Sequence, residues 1–258
     1  MSDLAVHVLR DGGWAQSLQA CLPDPAEALD HWFEVRAQIL KRDAHSAVGL
    51  LPIDGDAHFV KLYRPKAAWQ RWGFRLGRGR GIHAFDAALR LQAAGTLVAQ
   101  PQACLLRSGS LLLMTEALPG EDLKSLWLAD EEHGRTARRM AAAGAALGAL
   151  HRGGHAHGDC KWSNLLYVDE RVYFTDLEAV AAIDHVGPRA LRDLARFTLN
   201  AEDLALPVEL YQAFLDAYLQ GCQQSRRHIV ACMLPILDEL RARHRVRYGH
   251  RGHRLIDG

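Results

Sequence analysis

The chain reads as strand-rich before the "LPG" of residues 118–120 and mainly helical after it, and this order gives an α+β arrangement with strands first and helices later. Before it, "AQILKRD", "SAVGLLPI" and "AHFVKLY" are short apolar runs of strand length, the last two joined by a "DGD" turn. "QPQACLLRSGSLLLMTEALPG" reads as a hairpin turning at "RSGS", its second arm ending at Pro119 and Gly120. Between these, "HAFDAALRLQAAG" has helical composition and stops at Gly95, a natural residue just past a helix end. After it, "RTARRMAAAGAALGALHRGG" puts Ala143, Ala146, Leu147 and Leu150 on one helical face. "NLLYV" and "RVYFTDL" form a small hairpin around "DE". Helical patterns return in "PRALRDLARFTLN", "PVELYQAFLDAYLQGC" and "RHIVACMLPILDELRARHRV". No internal repeat is present. The expected organisation is a strand-rich N-lobe over residues 1–118 and a helical C-lobe over 119–258.

With 258 residues, 49% of them apolar and 24% charged, the chain can bury a core and is not globally disordered. A net charge of +1 gives no bulk attraction to any partner, and no nucleic-acid partner is expected. Five cysteines without CxxC spacing read as reduced thiols of a reducing compartment. "MSDLAVHVLRDGGW" lacks the basic and apolar regions of a signal peptide. No apolar run approaches the roughly 20 residues that span a bilayer. The expected location is the cytoplasm, with room for peripheral contact with a membrane.

Chemistry concentrates in "HAHGDCKWSNLLY", a polar run between two apolar segments. Phosphoryl transfer needs a carboxylate to orient the attacking hydroxyl, hard oxygen ligands for divalent metal, and a cation for the nucleotide phosphates. "HGDCKWSN" carries Asp159, Lys161 and Asn164 at the offsets of a kinase catalytic loop. The next strand ends in Asp176, and upstream "AHFVKLY" offers Lys61 inside an apolar strand. Taken singly, each has a plainer reading: Asp159 as a turn cap, Asn164 as a turn residue, Asp176 as a strand end, Lys61 and Lys161 as surface cations. The ordered set points to Asp159 as base, Lys161 as the cation near the transferred phosphoryl group, Asn164 and Asp176 as metal ligands, and Lys61 on the phosphates. His151, His155 and His157 are close together, but there is no HExxH and no Cys/His pairing of zinc spacing. His157 is expected to pack beneath the loop.

These residues resemble the lipopolysaccharide kinases, which phosphorylate Kdo or heptose in the lipopolysaccharide inner core. The resemblance rests on "FVKLYRPKAAWQRWGFRLGRGRGIHAFDAALRLQAAG", on "HGDCKWSNLLY" and on "VYFTDLEAV" with "LRDLARF". It implies a bilobal protein-kinase-like fold, ATP and Mg²⁺ as cofactors, and an anionic glycolipid acceptor. It further implies that Asp86 pairs with Lys61, that Asp193 braces the catalytic loop, and that the backbone of Glu116 and Ala117 pairs with adenine. A G-x-G-x-x-G loop is missing, and "KRDAHSAV", with Asp43 to Ser46 at its turn, is expected in its place, Ser46 facing the phosphates. "DLE" stands for D-F-G, no A-P-E follows, and Gly158 replaces an arginine. These departures favour a small, sugar-like acceptor over a peptide. Two further readings stand beside this one: a small-molecule or protein kinase of the same fold, and a nucleotide-binding pseudokinase.

The stretch "RPKAAWQRWGFRLGRGR" holds Arg64, Lys66, Arg71, Arg75, Arg78 and Arg80, with Trp69, Trp72 and Phe74 among them and no acid. It is either a solvated basic helix with its aromatics in the core or a surface that docks an anionic glycolipid or membrane.

Overall fold

In a computed structural model, residues 5–24, 27–130, 134–222, 224–249 and 253–256 are described. The chain divides into two compact units, Met1–Arg90 with Ala99–Leu118, and Leu91–Val98 with Pro119–Gly258. The stretch Leu91–Val98 goes with the second unit because the Leu97 carbonyl accepts the Phe174 N–H at 3.0 Å and Val98 bridges to Phe174.

The first unit contains β1 (His7–Asp11), α1 (Ala15–Cys21), α2 (Leu29–Arg36), β2 (Gln38–Arg42), β3 (Ser46–Ile53), β4 (Asp56–Tyr63), α3 (Ala68–Arg75), the first turns of α4 (Arg80–Ala93), β5 (Pro101–Arg107) and β6 (Ser110–Glu116). Its strands make an antiparallel sheet in the order β1-β5-β6-β4-β3-β2. The hairpins turn where the sequence places them. Asp54 and Gly55, and again Ser108 and Gly109, all take positive φ, the two-residue turn geometry whose twist matches the strands. Alternation along β4 buries His58, Val60 and Leu62 on one face. Val60 and Leu62 join Leu18, Trp32, Phe33, Leu51, Ile53, Leu105, Leu112 and Met114 in the core under α1 and α2.

The second unit contains β7 (Glu121–Asp122), α5 (Leu123–Ala129), α6 (Thr136–Arg152), β8 (His155–Ala156), β9 (Leu165–Val168), β10 (Arg171–Phe174), β11 (Ala181–Ala182), α7 (Pro188–Asp203), α8 (Val208–Leu219) and α9 (Arg226–Tyr248). Helix α6 buries Ala143, Leu147 and Leu150, as its period implies. Gly144 and Gly148, four apart on that helix, let it press against α8: a Cβ on Gly144 would lie 2.0 Å from the Phe214 carbonyl oxygen. The core beneath the loop is aromatic, with Phe197 stacked on Phe214 at 3.7 Å and Trp162 against Phe197 at 5.3 Å. Trp162, Phe197 and Phe214 are fully buried. Together the two units make an α+β chain. Among the described residues, no helix is long and apolar enough to cross a membrane.

Candidate active site

The loop between β8 and β9 begins on a buried carboxylate. Asp193 of α7 has no solvent exposure, and its Oδ2 accepts the His157 N–H at 2.6 Å while its Oδ1 accepts the Gly158 N–H at 2.9 Å. His151 Nε2 lies 3.4 Å from Oδ2, and His151 Nδ1 lies 3.0 Å from the Tyr218 hydroxyl. Asp193 therefore braces the loop from beneath. One turn further along the same helix, Arg196 Nη1 donates to Asp159 Oδ1 at 2.5 Å. One turn beyond that, Asn200 Oδ1 accepts the Trp162 N–H at 3.0 Å. Residues 193, 196 and 200 share one face of α7, and all three hold the loop.

His157 ties the loop to the strand that carries Asp176. It is fully buried, and burial pushes its imidazole below the ordinary value, which keeps it neutral. Its Nε2 lies 2.9 Å from the Thr175 carbonyl oxygen, and its Nδ1 accepts the Asp159 N–H at 3.2 Å. Both contacts are satisfied by the neutral tautomer protonated on Nε2. A second tie runs from the Thr175 N–H to the Asn164 carbonyl at 3.0 Å. The register of the β9–β10 hairpin explains it. Leu165 pairs with Phe174, so Asn164 and the Thr175–Asp176 step emerge together at its open end. Asp176 itself sits at φ 56° and ψ 54°, a left-handed conformation unusual for a non-glycine residue.

Asp159, Lys161 and Asn164 come together directly. Lys161 Nζ lies 2.9 Å from Asp159 Oδ2. Asn164 Nδ2 donates to the same oxygen at 3.2 Å and to the Asp159 carbonyl at 2.9 Å. With its amide nitrogen facing Asp159, Asn164 turns its Oδ1 the other way. Cys160, next to the carboxylate, is fully buried and its thiol is pushed well up by burial, so it takes no part as a nucleophile.

Gly158 explains the missing arginine of the loop. Its φ is +82°, and a Cβ there would lie 2.4 Å from the Ala179 carbonyl oxygen. No side chain fits. Gly158→Ala is expected to cost more than the roughly 1–2 kcal/mol of a left-handed L-residue, because the loop or the Ala179 turn must also move. A thermal melt and kcat measured together check this: both should fall, and an unchanged kcat would mean that the loop position is unimportant.

In the first unit, Lys61 lies half-buried on β4, paired across to Val48 and Leu113, with its Nζ 5.2 Å from the centre of the Tyr63 ring. The remaining candidates there differ from expectation. Asp86 was expected to pair with Lys61; the partner seen is Arg10, which donates to its two oxygens at 2.7 and 2.8 Å. Ser46 does stand at the β2–β3 turn, but Asp43 occupies its donors: the Ser46 N–H and hydroxyl reach the Asp43 carboxylate at 2.8 and 2.7 Å. Those bonds, the hydroxyl one foremost, hold Asp43 down to about 2. Glu116 ends β6, and its N–H, expected to face adenine, donates to the Gln100 carbonyl at 2.9 Å. Its carbonyl and the peptide of Ala117 remain the adenine candidates.

Arg196 and Asn200 hold the loop from positions that the motifs do not contain. The signal was in "LRDLARFTLN": polar residues three and seven places after Asp193, on a helix whose adjoining residues Leu194, Phe197 and Thr198 are buried.

The site thus holds a loop carboxylate with a lysine and an amide on it, beside a hairpin that carries a second carboxylate, and the match that follows makes the chain one of a family of kinases. The chain belongs to the lipopolysaccharide kinase (Kdo/WaaP) family, whose profile matches residues 32–218. A stretch of 117 residues, 45% of the chain, is 28% identical to a probable bifunctional tRNA threonylcarbamoyladenosine biosynthesis protein of Methanocorpusculum labreanum (strain ATCC 43576 / DSM 4855 / Z). The match spans 21% of that protein's length. Among solved structures, the chain is similar to the BubR1 kinase domain at 15% identity, with a TM-score of 0.45 over 57% of this chain and 46% of that one.

Proposed function

We propose that this protein is an ATP-dependent kinase that phosphorylates a sugar hydroxyl, of Kdo or heptose, in the lipopolysaccharide inner core. The observation that carries the reading is the set of contacts on Asp159, held by Lys161, Asn164 and Arg196 on a loop braced by Asp193. Asp159 takes the proton of the acceptor hydroxyl as its oxygen forms a bond to the γ-phosphorus. The bond from that phosphorus to the β,γ-bridging oxygen breaks, and its electron pair leaves with ADP. Lys161 neutralises the moving phosphoryl group, and Lys61 holds the nucleotide phosphates.

The donor chemistry fits Mg²⁺. Asn164 Oδ1 and the Asp176 carboxylate are hard oxygen ligands emerging from one end of a hairpin. Among the described residues no group of three His, Cys, Asp or Glu side chains forms a self-contained metal cage. Two protein oxygens suit an ion completed by phosphates and water. Bound there, it would neutralise charge on the phosphates.

The acceptor reading has its own support. Between Asp176 and Pro188 the chain makes a short turn, Leu177–Ala179, and the strand β11, which pairs with β8. That leaves no extended platform for a peptide. Purified protein with labelled ATP should transfer phosphate to Kdo-bearing lipid A. Transfer to protein or to choline-like alcohols instead would favour the other kinase readings, and nucleotide binding without transfer the pseudokinase.

We place the protein in the cytoplasm, against an anionic membrane surface through α3. Of its aromatics, only Phe74 is buried; Trp69 is 71% and Trp72 65% exposed, with Leu76 at 70%. This departs from a basic helix whose aromatics lie in the core. Arg64 leaves the basic set, since Asp30 holds it at 2.6 Å. Lys66, Arg71, Arg75 and Arg78 are exposed. Tryptophans favour the water–lipid interface. Basic side chains near an anionic bilayer contribute about 1 kcal/mol each. Replacing Arg71, Arg75 and Arg78 by Gln is therefore expected to weaken binding to vesicles of anionic phospholipid by about a hundredfold at low salt, and less as salt screens the charge. ATP binding should be unaffected. Equal vesicle co-sedimentation of variant and parent at low salt would remove α3 from the membrane reading.

A further inference from the structure

The bonds on Asp159 place the acceptor. A carboxylate has about four lone-pair sites. Asp159 Oδ2 accepts from Lys161 and Asn164, so both of its sites are taken. Asp159 Oδ1 accepts from Arg196 alone among the described residues. With Lys161 and Asn164 on Oδ2, the open site is on Oδ1, and an acceptor hydroxyl donating there would lie about 2.6–3.2 Å away. Arg196 Nη1 is 2.5 Å from that same oxygen. A sugar whose hydroxyl donates to Oδ1 would bring its ring carbons toward the guanidinium.

Arg196 has donors to spare. A guanidinium carries five N–H groups in a planar fork. The bond to Asp159 uses one of them, and the Arg196 side chain keeps 30% of its surface exposed beside a carboxylate that keeps 34%. Such a fork matches a carboxylate or phosphate in two parallel bonds, which a lysine cannot reproduce. Asp193 and Asn200 hold the loop on either side of Arg196, and the single N–H that Arg196 places on Asp159 leaves the rest of its fork for a ligand. Lys161 occupies the opposite oxygen, on the side assigned to the phosphoryl group.

We propose that Arg196 is an acceptor-binding residue, which selects a sugar carrying an anionic group within a guanidinium's reach of the hydroxyl that is phosphorylated. This rests on the sugar-kinase reading and sharpens it to acidic or already phosphorylated sugars. The probes are free Kdo, which carries a carboxylate, and its methyl ester, which is neutral. One charge-assisted bidentate contact is worth about 10- to 100-fold in kcat/KM, and the parent protein should prefer the acid by that factor. Arg196→Gln removes a contact on Asp159 and should lower kcat on both acceptors; beyond that it should raise KM for Kdo by a similar factor and erase the preference for acid over ester. Arg196→Lys should restore part of the preference.

A purely positioning residue would behave differently: Arg196→Gln would do no more than lower kcat on both acceptors alike and leave their ratio as in the parent. That result overturns the proposal while the sugar-kinase reading stands. So does a parent protein that takes acid and ester equally, a comparison that needs no variant and is immune to misfolding. A parent that phosphorylates neither sugar overturns the sugar-kinase reading, and the selection by Arg196 falls with it.

Discussion

Asp159→Asn is expected to lower kcat by about 10²–10⁴-fold, the usual contribution of a positioned general base, while nucleotide affinity stays near that of the parent. The substitution keeps the size of the side chain and removes its capacity to take a proton. It also turns an amide NH₂ toward either Arg196 or the Lys161–Asn164 pair, all of which now donate to the carboxylate. The acceptor hydroxyl loses its orienting partner, whereas the groups assigned to the phosphates, Lys61 and Lys161, are unchanged. Turnover and nucleotide affinity must be measured on one preparation, because loss of an interaction made only in the transition state lowers kcat without weakening ground-state binding. Unchanged turnover would remove Asp159 from the mechanism. A parallel loss of nucleotide affinity would mean that its contacts serve binding.

Asp193→Ala is expected to have the largest effect on stability. Two backbone N–H groups, of His157 and Gly158, end on this fully buried carboxylate, with His151 close by. Each buried donor left unpaired costs about 1–3 kcal/mol, so the loss is about 2–6 kcal/mol, a large share of the 5–15 kcal/mol that holds a domain together. Asp193→Asn should cost about half as much, since its amide retains one acceptor oxygen and turns a donor toward the other N–H. Denaturant unfolding of the two variants checks the order, Ala worse than Asn worse than parent, with the slope constant so that the midpoints are comparable. A loss under about 1 kcal/mol for Asp193→Ala would mean that water replaces the carboxylate and the loop does not depend on it.

Much of this architecture was legible locally. The "DG" and "SG" turns fixed two hairpins because only residues tolerant of positive φ fit them, and each one set the alternation of its strands. The five-residue step from Asp159 to Asn164 could be read because both ends sit on one short loop. What was illegible depended on partners far apart in sequence. Arg10 reaches Asp86 across 76 residues, and nothing near Asp86 announces it. Arg196 reaches Asp159 across 37 residues, and only its spacing from Asp193 hinted at it. The first strand and the two helices that follow it escaped notice because they are short and only partly apolar. β1 alternates weakly, and α1 owes its start to Asp11, whose carboxylate accepts the N–H groups of Gly13, Trp14 and Ala15. Two of the three aromatics of α3, Trp69 and Trp72, face solvent although hydrophobic composition would bury them, which no periodicity rule anticipates.

The central claim is that the chain phosphorylates a core sugar through Asp159. Its most direct test is mass analysis of core oligosaccharide from cells that lack the protein, complemented with either the parent or Asp159→Asn. The account predicts that the core loses one phosphate at a defined sugar without the protein, regains it with the parent, and does not regain it with the variant. A core of unchanged mass in all three cases, or equal rescue by Asp159→Asn, would contradict it.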